Sequence, residues 1–151
     1  MNVDKACQRN VITVRRFDEL SKAVQLMRER HIGYLVVVEP DVADGSQRPV
    51  GVLTDRDILI TVVAREADVR TLRVDDVMTR QPLTVSETDP IDKALREMRR
   101  IGVRRVPVIG PRGELAGILS LDDVLDVLAG ELQNVAGSIR HGRDVEGALR
   151  P

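Results

Sequence analysis

Aromatic residues are almost missing: Phe17 and Tyr34 are the only two among 151 residues, and there is no tryptophan. Neither the stacking platform of a single-strand nucleic-acid binder nor an aromatic cage can be built from so few rings. Any flat ligand has to lie between aliphatic side chains. Cysteine is scarcer still. Cys7 stands alone, which excludes an internal disulfide and a Cys-rich zinc site and leaves it reading as a small apolar side chain. His31 and His141 have no second His or Cys at ligand spacing, so no metal site is expected. Long apolar runs are absent as well. The longest, Tyr34 to Val38 and Ile58 to Ala64, fall far short of the roughly 20 residues that cross a bilayer, and no membrane association is expected. Residues 1–7 carry Asn2, Asp4 and Lys5 where a secretory signal needs an apolar region, which points to a cytoplasmic location. Nor is one sign of charge in excess: Lys and Arg total 23 against 24 acidic residues, mostly intermixed. The basic footprint of a nucleic-acid-binding domain is therefore lacking.

What is present is a globular composition, 42% apolar and 31% charged, and an internal repeat. Sliding the chain by 71 residues lays Val3–Val14 over Val74–Val85, and without a gap Asp18 meets Asp89, Lys22 meets Lys93, Met27 meets Met98 and Val37 meets Val108. After a loop five residues longer in the first copy, the match resumes at an offset of 66, with Gly51-Val-Leu-Thr-Asp-Arg-Asp-Ile-Leu59 on Gly117-Ile-Leu-Ser-Leu-Asp-Asp-Val-Leu125.

Each copy reads as β-α-β-β-α. Asn10–Val14 and Gln81–Val85 are short and β-branched, as brief strands are. Asp18 and Asp89 stand as N-caps, with Pro90 in a first helical turn. Leu20, Ala23, Val24 and Met27, like Ile91, Ala94, Leu95 and Met98, recur at helical spacing. Tyr34–Val38 with Val50–Leu53, and Arg105–Ile109 with Leu115–Leu119, form hairpins. A second helix begins at Thr54 or Ser120 and is expected to bury Ile58, Leu59, Val62 and Val63, or Val124, Leu125, Leu128 and Leu132. A three-stranded sheet with helices on one side leaves its other face bare, so two α/β (α+β) repeats should pack with pseudo-two-fold symmetry. The expected division is residues 3–65 for the first repeat, 66–82 for a linker, 83–133 for the second repeat, and 134–151 for a helix extension and flexible tail fraying beyond about His141.

With these strings in order, above all Gly51-Val-Leu-Thr-Asp-Arg-Asp-Ile58, Asp76-Val-Met-Thr79 and Gly102-Val-Arg-Arg-Val-Pro-Val108, the chain resembles a tandem pair of CBS domains, a Bateman module, over about residues 3–133. The resemblance implies a regulatory sensor that binds AMP, ADP, ATP or a relative such as S-adenosylmethionine in clefts between the repeats, forms a homodimer and signals to an unknown protein partner in trans. Thr54-x-x-Asp57 and Ser120-x-x-Asp123 are capping boxes by pattern, yet a carboxylate keeps lone pairs that can accept from a ribose diol. By the resemblance, Asp57 binds ribose with Thr54 assisting, while Arg104 and Arg105 reach its phosphates bidentately. Val77 and Met78 of the linker would line the base, Met78 reading equally well as simple core. The second, weaker cleft would take Ser120 and Asp123, with Ala6, Cys7 and Tyr34.

Two other functions compete with the sensor. One is a structural or oligomerisation module whose clefts bind nothing. The other, an enzyme, is disfavoured: no nucleophile elbow or phosphate loop is present, and Asp55, Asp57, Asp122 and Asp123 sit at helix starts where acidic residues belong. No catalytic residues and no obligatory cofactor are expected.

Overall fold

The structure, a computed structural model, describes residues 1–150. The first half runs β1 (Thr13–Arg15), α1 (Leu20–Arg30), β2 (Tyr34–Pro40), β3 (Gln47–Thr54) and α2 (Asp55–Ile58), which continues as a π-helical turn over Leu59–Val63. A 3-10 turn at Val69–Thr71 leads to α3 (Val74–Val77) and β4 (Thr79–Arg80). The second half runs β5 (Val85–Ser86), α4 (Ile91–Ile101), β6 (Arg105–Ile109), β7 (Leu115–Ser120) and α5 (Leu121–Leu149). The sheets are ordered β1-β2-β3-β4 and β5-β6-β7, each opening with a parallel pair and closing antiparallel.

The repeat is visible to the residue. Helices α1 and α4 cover positions 71 apart, and the hairpins carry bulges at Val37/Val38 and Val108/Ile109, again 71 apart. The first strands begin later than their β-branched composition suggests and end where the carboxylates of Asp18 and Asp89 accept from the backbone N–H of Arg15 (2.8 Å) and Ser86 (3.0 Å) and turn the chain. Those aspartates therefore cap turns ahead of the helices. The helix N-caps are Glu19 and Pro90, one residue later than the pattern implies.

Two cores form, and each takes in a segment that precedes the other repeat. Val74 and Met78, from between the repeats, pack with Leu20, Leu35, Val37 and Leu53. Val3 and Ala6, from the start of the chain, pack with Met98, Val106, Val108 and Leu119 of the second half. Backbone hydrogen bonds fix the exchange: Val3 N–H donates to Asp89 O (3.0 Å), and Val74 N–H to Asp18 O (2.9 Å). Each fully buried Val contributes roughly 1.5–3 kcal/mol, so neither half closes its core alone.

The exchange also explains two glycines. A Cβ on Gly51 would meet Met78 Sδ at 2.7 Å and Thr79 O at 3.0 Å, and one on Gly117 would meet Gln8 O at 2.7 Å and Cys7 Sγ at 3.2 Å. The incoming segments lie directly on the hairpins. One of them adds β4 to the first sheet, pairing Thr79 with Val52 and Arg80 with Gly51, so that sheet has four strands where three were expected.

The second-helix stripes are only partly buried. Ile58 and Val62 pack on the first core and Val124 is buried, but Leu59, Val63, Leu125, Leu128 and Leu132 are exposed. Helix α5 stays helical to Leu149, eight residues past the expected fraying point.

Candidate functional site

Both strand-to-helix junctions are closed by reciprocal capping boxes. At the first, Asp57 N–H donates to Thr54 Oγ1 (3.1 Å) and Thr54 N–H to Asp57 Oδ2 (3.2 Å). At the second, Asp123 N–H donates to Ser120 Oγ (3.1 Å), and Ser120 N–H (3.3 Å) and Oγ–H (2.6 Å) both donate to Asp123 Oδ2. The second carboxylate oxygens behave differently. Among the described residues nothing donates to Asp57 Oδ1, whereas Asp123 Oδ1 accepts from the Gln8 side-chain amide at 3.1 Å.

The cause of that difference lies in the exchanged segments. Gln8 and Thr79 occupy equivalent positions, 71 apart, and equivalent pairings: Gln8 bridges to Ile118 and Thr79 pairs with Val52, 66 apart. Glutamine is long enough to reach the neighbouring capping aspartate. The threonine side chain stops short and leaves Asp57 with a vacant acceptor.

Over Thr54 and Asp57 lies a cavity of ≈ 800 Å³, within the usual size range for small-molecule sites. The first half supplies Gly33 and Tyr34 from the start of β2, Val52 and Thr54 from β3, and the opening of α2. The second half supplies the stretch 81–83 ahead of β5, the end of α4 and the entry of β6, including Arg104 and Arg105. Four of the proposed residues, Thr54, Asp57, Arg104 and Arg105, thus meet in one cavity.

Val77 and Met78 do not join them. In β3 successive side chains alternate faces, so Gly51 and Leu53 turn inward while Val52 and Thr54 face the cavity. Met78 lies over Gly51 on the inward side and is 7% exposed, and Val77 packs against the same core. The cavity wall is formed instead by Thr79, Gln81, Pro82 and Leu83. Met78 borders only a smaller hollow of ≈ 580 Å³ with Arg16 and Arg80.

Tyr34 is also misplaced by the sequence pattern. Hairpin register sets it opposite Thr54 of its own repeat, just as Arg105 stands opposite Ser120, so it lines the first cavity rather than the second cleft. Burial pushes its phenol well above the ordinary range, with the Arg105 charge opposing, so the hydroxyl stays protonated and able to donate. Of the second-cleft residues, Ser120 and Asp123 are held together by their box. Ala6 belongs to the second core and Cys7 packs against it, where burial raises the thiol pKa and disfavours thiolate.

Two cavity arginines had no part in the sequence reading. Arg56 lies inside the Thr-x-x-Asp string, and Arg100 closes the last turn of α4 just before Gly102. With Arg104 and Arg105 they make four guanidiniums facing Asp55 and Asp57, a formal excess of two positive charges. Arg100 is paired with Glu97 at 2.8 Å, Arg104 reaches Asp122 only at 3.9 Å, and among the described residues Arg56 and Arg105 have no ion-pair partner. Their signal in the sequence was proximity to the glycine and hydroxyl residues that shape the cleft.

The described helices include none long and apolar enough to cross a membrane. The CBS domain family model matches residues 3–64 and 74–130. An uncharacterized protein of Methanopyrus kandleri is 30% identical over 127 residues, covering 84% of this chain, which in turn spans 62% of that protein. Hypoxic Response Protein I, solved with two coordinated zinc ions, is 31% identical with a TM-score of 0.72 over 83% of this chain and 98% of that one. Here, among the described residues, no three His, Cys, Asp or Glu side chains converge as metal ligands. A CBS domain pair solved with 5′-methylthioadenosine and S-adenosyl-L-methionine shares the fold at 22% identity and a TM-score of 0.70, covering 85% of this chain and 99% of that one. On two matched segments, a duplicated fold and close structural counterparts, the chain belongs to the CBS domain family.

Proposed function

We propose that the chain is a regulatory module that binds an adenine nucleotide in the cavity over Thr54 and Asp57 and passes its occupancy to a partner in trans as a homodimer. The observation that carries this reading is the unpartnered Asp57 Oδ1 facing a cavity wall with four arginines. A ribose diol supplies two O–H donors for that carboxylate, and phosphates supply the acceptors that Arg56 and Arg105 lack. The purine then rests between Val52, Leu83 and Val106, aliphatic surfaces in a protein without aromatics to spare. The positive excess favours AMP, ADP or ATP over the sulfonium of S-adenosylmethionine. The repeats, linker and extension at 3–65, 66–82, 83–133 and 134–151 remain the functional division we assign, with output located in the cytoplasm.

The second cleft, with Ser120 and Asp123, is the weaker site because Gln8 already occupies the carboxylate oxygen a ribose needs. Titration calorimetry with AMP, ADP, ATP and S-adenosylmethionine tests the assignment. Asp57→Ala should abolish the high-affinity phase, and Asp123→Ala should change it little. Silence toward every ligand would instead favour a scaffold without a sensing role.

A further inference from the structure

From Glu131 to Leu149 every residue of α5 except Gly137 is exposed, so the last 19 residues of the helix run clear of the body for about 28 Å. An isolated helix of that length is marginal in water, and Gly137, Gly142 and Gly147 weaken it further. Helicity here calls for packing. The packing surface is present: Leu125, Leu128, Leu132, Val135 and Ile139 are 62%, 45%, 70%, 57% and 52% exposed. Their spacing of three, four, three and four residues is the seam of a coiled coil, not the scattered exposure of a solvated helix.

Charge along the same helix selects the occupant and its direction. Residues 121–135 carry Asp122, Asp123, Asp126 and Glu131 and no basic residue. Residues 136–150 carry Arg140, Arg143 and Arg150 against Asp144 and Glu146. A parallel partner would stack four carboxylates on four, whereas an antiparallel copy lays Arg140 and Arg143 over the acidic half. A two-fold axis between Leu132 and Val135 pairs Leu132 with Val135 and Leu128 with Ile139, sets Arg143 beside the Asp122–Asp126 stretch, and leaves Leu125 over Gly142 at the edge of the seam.

We propose that α5 forms an antiparallel helix pair with α5 of a second copy of this chain through the Leu125–Ile139 seam. The pairing rests on the homodimer reading above and adds its surface and direction. It is tested on the full chain carrying Cys7→Ala, with Leu128→Cys and Ile139→Cys introduced singly, mixed and oxidised, the products being weighed by mass spectrometry. The expected product is the mixed disulfide, because in an antiparallel pair two copies of Leu128 stand about 16 Å apart. Self-linked products from each variant alone, meaning a parallel pair, would overturn the proposal. In sedimentation, Leu132→Glu with Ile139→Glu should halve the mass of the wild-type dimer, and because both sites are exposed in one copy and outside the two cores, the variant should keep a cooperative thermal unfolding transition. A dimer that survives both substitutions refutes the seam but leaves the homodimer intact. A wild type of only 16.8 kDa refutes both.

Discussion

Replacing Thr79 by glutamine would copy beside Asp57 the side chain that donates to Asp123 in the second half. Thr79 and Gln8 share backbone pairing with Val52 and Ile118 at matched offsets, so the new amide should approach Asp57 as Gln8 approaches Asp123, near 3.1 Å. A nucleotide would then have to displace a hydrogen bond to a charged group before its ribose could bind. Such bonds are worth about 1.5–3 kcal/mol, so affinity should fall by roughly 10- to 150-fold. Thr79 is exposed and the β4 backbone bonds are untouched, so thermal stability should stay within about 0.5 kcal/mol of wild type. The assay is calorimetric titration with ADP of Thr79→Gln and of Thr79→Ser, a short control that cannot reach Asp57. Equal affinities for the two variants would refute the view that Asp57 Oδ1 holds the ligand.

Arg104→Ala with Arg105→Ala should weaken ADP binding by roughly 10- to 100-fold, discounted for the exposure of Arg104, while leaving uncharged adenosine unaffected; parallel losses for both ligands in competition binding would show that the pair does not read phosphate. Gly51→Ala should destabilise by about 1–3 kcal/mol, since its Cβ meets Met78 Sδ at 2.7 Å and Thr79 O at 3.0 Å, an effect read as a lowered Tm. Asp75 is held below the ordinary carboxylate range by hydrogen bonds from Arg80 and Arg16, so its stabilisation is complete above its unfolded pKa and fades as pH falls through the lower folded value. Asp75→Asn should accordingly flatten the stability curve below about pH 4 in denaturant titrations. Because burial raises the Cys7 pKa, alkylation by iodoacetamide at pH 8 should be slower on the folded chain than after unfolding; equal rates would contradict that burial.

The duplicated parts of the fold were legible because equivalent positions obey equal constraints. The Asp18–Lys22 and Asp89–Lys93 pairs, the two helices 71 residues apart and the two capping boxes are each written twice in the chain. Comparing the copies separates a constraint from a coincidence. Hydrophobic period, by contrast, states which face of an element is apolar and not what covers it. It therefore marks Leu59, Leu125 and Leu132 as apolar without separating a core from an exposed helix face, and all three are exposed. Nor does it state which core a segment enters: Met78 reads from the sequence as either ligand surface or core, and the exchange of leading segments places it, with Val77 beside it, in the packing of the first half.

The same limit applied to the clefts. From offsets alone, Gly33–Tyr34 and Arg104–Arg105 are symmetry mates, and symmetry sends one pair to each cleft. The structure brings both pairs to a single cavity: hairpin register ties Tyr34 to Thr54 within the first repeat, and the entry of β6 brings Arg104 and Arg105 to the same space from the second. At position 34 the two copies differ openly in the sequence, a tyrosine standing where the second copy has Arg105. The larger difference sits at Gln8 and Thr79, two polar residues of ordinary appearance whose lengths decide whether a capping aspartate keeps an acceptor to offer. The two Thr/Ser-x-x-Asp boxes are alike in pattern and in backbone geometry, so the side chain that faces each box, Gln8 or Thr79, is what distinguishes their carboxylates, and Thr79→Gln is the substitution that puts that distinction to the test.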